Sequence, residues 1–167
     1  MQKLITNLNY SLKEANNFSD VIFLCIGSNK IIGDAFGPIV GHKLKQIPNN
    51  LNIIGDLENC VIYKDIEKIE KQIHEKYVNP YIICIDAALS KTIQKGKIVV
   101  EKSSMQIGNV LGKKEKNIGN LSIKGIVAKK RDNYKENFIA LAGTSFSMIN
   151  SMAERVVEGV YFSQIWK

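Results

Sequence analysis

The chain has 167 residues, 45% hydrophobic and 23% charged, with a formal net charge of +7. This is the balance of an ordinary soluble globular protein, and the length suits one α/β domain over residues 1–167 with a core of its own. No run approaches the roughly 18 apolar residues of a membrane span, and MQKLITNLNYSLKEANN has neither the apolar core nor the cleavage site of a secretory signal, so a cytoplasmic location without membrane contact is expected. The positive charge comes from 21 Lys and only two Arg, Arg131 and Arg155. Base readers and phosphate clamps rely on the guanidinium fork, and the clusters Lys113, Lys114, Lys116 and Lys129, Lys130, Arg131 have no interleaved aromatics. A solvated basic face fits best, ahead of attraction of an acidic protein partner and of a nucleic-acid site.

In chain order, Ile5, Leu8, Leu12 and Ala15 lie at the spacing of one helix face within Leu4 to Ala15. After a polar break, the six apolar residues Val21 to Ile26 read as a strand buried on both faces. Gly27 stops it, Asp34 closes the following loop, and a helix is expected over Ala35 to Ile47 with Pro38 in its first turn. Pro48-Asn49-Asn50 is a turn. Leu51 to Ile54 and Val61 to Tyr63 read as short strands. Asp65 is placed to cap a helix that carries Ile66, Ile69, Ile73 and Tyr77 on one face.

Tyr81 to Ile85 is the second core strand, ending on Asp86. Lys97 to Glu101 alternates weakly and reads as an edge strand. From Ile107 to Gly125 the glycine- and lysine-rich segment has no clear period, the mark of a functional or disordered loop. Leu121 to Ala128 and Phe138 to Leu141 are further strand candidates. Gly143-Thr144-Ser145 reads as a turn and cap opening a last helix, whose Ile149, Ala153, Val156 and Val160 form an apolar stripe.

Strands alternating with helices predict an α/β sandwich with a mainly parallel central sheet, Val21–Ile26 beside Tyr81–Ile85. Ligand sites in such sheets lie outside the carboxyl ends of the strands, where Asp34 and Asp86 both fall. Each acid also has a structural reading, Asp34 as a helix N-terminal charge and Asp86 as a turn residue. GSNKIIGDA lacks the Lys-Ser/Thr of a Walker loop and the spacing of a dinucleotide fingerprint, and no GxSxG or HExxH occurs. Cys25 and Cys84 lie in core strands and Cys60 stands alone, so buried reduced thiols are expected. His42 and His74 read as structural.

CIGSNKIIGDAFGPIVGHKL, IICIDAALS and IGNLSIKGIVAKK together resemble the YyaC family of sporulation proteins, labelled spore proteases by similarity. That family is related to the germination protease of spore-forming bacteria and, more remotely, to hydrogenase-maturation endopeptidases. The resemblance implies a three-layer αβα sandwich of the phosphorylase/hydrolase type. It also implies that Asp34 and Asp86 match the proposed catalytic pair of an unusual aspartic peptidase acting on small acid-soluble spore proteins. In the hydrogenase-maturation relatives the matching acids hold a metal together with a histidine downstream of the second. Here no histidine follows Asp86, so neither a metal nor another cofactor is expected.

The sequence thus predicts a peptidase of sporulation or germination working through Asp34 and Asp86. Asn29 is a candidate to orient peptide or water, and the loop from Gly108 to Gly125 a candidate to bind an extended substrate. Two other readings stay open: a non-catalytic binding or regulatory protein on the same fold, and an amide hydrolase acting on a small molecule or cell-wall peptide.

Overall fold

The structure is a computed structural model that describes residues 6, 8–10, 18–48, 50–108 and 113–163. Its sheet is built on β1 (Asp20–Cys25), whose alternate side chains serve two cores. Phe23 and Cys25 join one cluster, and Ile22 and Leu24 join the other. This is why the run is apolar throughout rather than alternating. On one side β1 pairs in parallel with β2 (Asn52–Ile54), and on the other with β3 (Pro80–Ser90). β3 then pairs in parallel with β7 (Leu121–Lys129), and β4 (Ile98–Glu101) closes the edge antiparallel to β7, giving the order β2-β1-β3-β7-β4.

Three helices cover one face: α1 (Phe36–Gln46), α3 (Tyr134–Ala142) and α4 (Phe146–Ser163). Phe36, Val40 and Leu44 of α1 and Ile149, Ala153, Val156 and Val160 of α4 are buried against it. Each such fully buried side chain contributes about 1.5–3 kcal/mol relative to exposure. The other face is covered by α2 (Ile66–Lys76), through Ile66 and Ile73, and by a hairpin of β5 (Met105–Ile107) and β6 (Lys116–Ile118). The layers are those of an αβα sandwich with a mainly parallel sheet, as the sequence predicts. Cys25 and Cys84 are buried free thiols, and burial pushes the Cys25 thiol up to about 12.

Several expectations are corrected. Phe138 to Leu141 lies inside α3, not in a strand. A short apolar run does not distinguish helix from strand by period, and the helix signal sits upstream, where the Asn133 side chain accepts from the Glu136 N–H at 2.9 Å. Val61 forms only an isolated bridge to Ile26, and Tyr63 belongs to a short 3₁₀ turn. Asp65 stands at the head of α2, but its carboxylate accepts from the Ile62 N–H instead of capping the helix. The segment from Ile107 to Gly125 is not one loop: it holds β6 and the start of β7, with residues 109–112 outside the described residues. Of the helix expected over Leu4 to Ala15, residues 6 and 8–10 are described and helical, with Leu8 buried; the remainder, like Asn49 of the expected turn, lies outside the described residues.

The first turn of α1 presses end-on against the sheet. A Cβ on Gly37 would stand 2.1 Å from the Ile26 carbonyl oxygen and 2.7 Å from that of Ile85. Gly37→Ala is therefore expected to lower stability by about 1–3 kcal/mol through overpacking, read as a lower urea midpoint at unchanged m-value. An unshifted midpoint would mean that α1 can move away freely.

Candidate active site

The chain leaves β1 in a way that fixes Asp34. The Ile26 N–H still donates to Ile85 of β3 at 2.8 Å, and the Gly27 N–H donates to the Val61 carbonyl at 2.9 Å. Gly27 has φ +136°, and a Cβ there would stand 2.0 Å from the Asp34 carbonyl oxygen. Only glycine takes that backbone freely while another chain segment lies on its Cα. The loop thus folds back on itself, the Ser28 N–H donating to the Asp34 carbonyl at 3.2 Å, and Asp34 is delivered in a 3₁₀ turn directly before α1.

Asp86 reaches the same place from β3. It does not end its strand: β3 runs four residues further, to Ser90, still paired with β7. What ends there is β1, whose last residue, Cys25, stands opposite Ile85. Asp86 is thus the first residue of β3 without β1 beside it. Its Oδ1 accepts from the Ala87 N–H at 2.8 Å.

Both acids line a cavity of about 510 Å³ at the carboxyl end of β1. Its walls include Ser28 and Ile31 of the loop, Ala87 to Ser90 of β3, and Met105, Ile107 and Gly108 of the hairpin. Burial raises the Asp86 carboxyl well above the ordinary carboxylate range; the Asp34 charge adds to this, and the Ala87 N–H opposes it. Asp34 is also raised by burial, but the Ser28 N–H and the Lys113 ammonium pull it back. Lys64, Lys113, Lys124 and Lys130 line the same cavity, with Lys124 paired to Glu101 at 2.6 Å. The Asp34 charge thus disfavours ionisation of Asp86, as a nearby like charge does.

The other predicted residues fall differently. Gly108 lines the cavity at φ +105°, with a Cβ position 2.7 Å from the Tyr63 ring, so a side chain there would drive the hairpin off that ring. Gly125 belongs to the strand expected over Leu121 to Ala128 and not to a substrate loop: it lies within β7, where a Cβ would meet the Phe36 ring at 2.7 Å, and it does not line the cavity. Asn29 does not line it either; its side-chain amide donates to the Leu57 carbonyl at 2.8 Å, tying the Asp34 loop to residues 56–59. That second loop is pinned by Asp56, which is buried, pairs with Lys45 of α1 and accepts from the Glu58 and Asn59 N–H groups at 2.8 and 2.6 Å.

Sequence reasoning passed over Asp56, although Asp with free N–H groups two and three residues on is an Asx-turn signal. It also passed over Tyr63, whose hydroxyl donates to the Lys114 carbonyl at 2.6 Å and whose ring lies under the Lys113 and Lys116 ammonium groups. The metal of the hydrogenase-maturation relatives does not fit the residues present. Among the described residues no three of His, Cys, Asp and Glu are grouped to hold an ion. His42 pairs with Gln46 on α1, and neither His42 nor His74 lines the cavity.

Similarity to known proteins follows the same lines. A protein of Bacillus subtilis (strain 168) called uncharacterized protein YyaC is 29% identical over 160 residues, which cover 95% of this chain and 76% of that one. The solved structure of the NiFe hydrogenase maturation protease HycI from Thermococcus kodakarensis KOD1 is similar at a TM-score of 0.60 and 14% identity, covering 95% of this chain and 97% of that one. The NiFe hydrogenase maturation protease HybD from Thermococcus kodakarensis follows at a TM-score of 0.51 and 19% identity, covering 89% and 99%. At these identities the likeness is one of fold. The model of the family described as protein of unknown function (DUF1256) matches residues 1–159, and the chain belongs to that family.

Proposed function

We propose that this protein is a peptidase that hydrolyses amide bonds of a protein or peptide substrate through Asp34 and Asp86. The observation that carries the reading is that two carboxyls, from two separate chain segments, line one cavity at the carboxyl end of β1, and that the Asp34 charge helps to raise Asp86. The difference in their surroundings assigns the roles. Asp34, favoured as an anion by Ser28 and Lys113, takes a proton from a water molecule whose oxygen attacks the scissile carbonyl carbon. Asp86, raised further, keeps its proton and donates it to the carbonyl oxygen. When the tetrahedral intermediate collapses, the C–N bond breaks, Asp34 gives its proton to the leaving amine, and Asp86 takes one back from a hydroxyl of the intermediate, which becomes the carboxyl of the acid product. The resemblance carried by residues 25–44, 82–90 and 118–130 supports a sporulation or germination setting in the cytoplasm, with small acid-soluble spore proteins as candidate substrates.

Asp34→Asn and Asp86→Asn are each expected to lower kcat by about 10²–10⁴-fold on acid-soluble spore proteins or peptides, with the fold intact by circular dichroism. The double variant should be little worse than either, because the two act as a unit. Wild-type protein that cleaves nothing from acid to neutral pH would favour the binding reading, and full activity in both variants would place the chemistry elsewhere.

A pH dependence follows from the same pair. Activity should follow a bell, lost at low pH when the base is protonated and at high pH when the acid is ionised. For stability, a carboxyl raised in the folded state binds more protons folded than unfolded. It therefore disfavours the fold increasingly as pH rises from the unfolded value of about 3.9 to the raised folded value. Asp86→Asn keeps an acceptor for the Ala87 N–H and removes that titration. It should raise Tm at neutral pH, with the gain shrinking as pH falls through this window and gone below it; a gain independent of pH would refute the raised carboxyl.

A further inference from the structure

β3 continues past the end of β1, and this leaves backbone groups with no neighbour. The Ile85 carbonyl accepts from Ile26 on the β1 side, whereas the Ser90 carbonyl accepts from Lys130 on the β7 side. Backbone groups alternate sides along a strand, so Ala87 and Leu89 direct their N–H and C=O groups into the lane that β1 has left. The Ala87 N–H is held by the Asp86 carboxylate. Among the described residues nothing pairs with the Ala87 carbonyl or with the N–H and carbonyl of Leu89.

This open edge lines the cavity that holds Asp34 and Asp86. Most free edges carry lysine, proline or a cover that blocks pairing, but the residues here are Asp-Ala-Ala-Leu-Ser, with neither lysine nor proline. The register between β3 and β7 shifts at Ala88/Leu89, and such irregularities increase local twist and are common beside active sites. From Ile85 to Ser90 the edge runs roughly 16 Å at about 3.3 Å per residue, room for a short extended segment. Met105 and Ile107 of the hairpin flank the lane on one face of the sheet and Leu141 of α3 on the other, so alternate side chains of an added strand would meet apolar walls.

We propose that an extended polypeptide segment binds by adding as a strand to β3 at Ala87–Leu89, in the lane vacated by β1, with its main chain passing Asp86. The occupant is recognised chiefly by its backbone amides, so the substrate class is an unfolded or extended chain rather than a folded surface or a small amide. This deepens the peptidase reading and rests on it for the chemistry, though not for the binding.

The test uses full-length Asp34→Asn protein, to prevent turnover, and a pooled library of random decapeptides from which binders are selected. Each binder is then remade with single backbone N-methyl groups at successive positions. N-methylation at alternate residues should weaken binding about tenfold, the scale of one lost hydrogen bond, while the intervening positions change it less than about twofold. Hydrogen exchange at the Leu89 N–H should slow by at least about tenfold in the complex. Absence of any binder, an N-methyl scan without alternation, or an unprotected Leu89 N–H would each overturn the proposal. The alternating pattern with no cleavage by wild type would uphold the strand site and sink the peptidase reading. Cleavage of library peptides without alternation would do the reverse.

Discussion

The close approach of α1 to the end of β1 and to Ile85 within β3 is the constraint on which the candidate site depends. A helix meets a sheet no closer than its Cβ atoms permit, and α1 removes that limit at two positions one turn apart. Gly37 rests on the Ile26 and Ile85 carbonyls, and a Cβ on Gly41 would stand 2.0 Å from the Gly55 carbonyl oxygen. The first contact draws the head of the helix onto two neighbouring strands at once. The second draws the same helix face onto the turn after β2, where Asp56 pairs with Lys45 and holds its loop in place. Asp34 precedes the helix by two residues, so its position is set by backbone packing on three sides. A side chain held this way loses little further freedom on meeting a substrate.

The second determinant is a difference in strand length. β1 has six residues and β3 eleven, and their pairing stops where Cys25 meets Ile85. Everything distinctive about Asp86 follows from being one residue past that point. It remains hydrogen-bonded to β7, so it is rigid, and it has lost β1, so it faces a cavity. The cavity lies where the rule for parallel sheets would look for a ligand, but beyond the end of β1, not of β3.

That distinction marks how far the sequence was legible. The double-faced burial of β1 and β3 was readable because parallel central strands leave no polar face, and with it came their adjacency and the location of Asp34 and Asp86. Asp86 was misread as a terminator because Ala-Ala-Leu-Ser has no strong strand propensity; it stays extended through its ladder with β7, a pairing between residues some 40 positions apart that no local window contains. Gly125 fell in the overlap between an expected loop and the strand expected over Leu121 to Ala128, and it belongs to the strand. Its strand accepts a glycine because the Phe36 ring needs the space. The hairpin of β5 and β6 was illegible because its strands are three residues each and are held by contacts with α2 and Tyr63 rather than by their own pattern. The cap of α3 was present in Asn133 and Glu136 and could have been found.

The electrostatics of the cavity complete the picture of a pair whose members are not equivalent. Both carboxyls are raised by burial, Asp86 more than Asp34. Lys113 adds to that difference on one side only, acting on Asp34 and not among the influences on Asp86. Its position depends in turn on Tyr63, whose ring lies 4.7 Å below the Lys113 ammonium while its hydroxyl fixes the next residue's carbonyl. The hairpin therefore contributes more than a wall. By seating a cation that acts on Asp34 and not on Asp86, it makes the surroundings of the two acids unequal, the condition that the proposed base and acid would require. Displacing the hairpin from Tyr63 would let the two carboxyls drift back toward equivalence without either being touched.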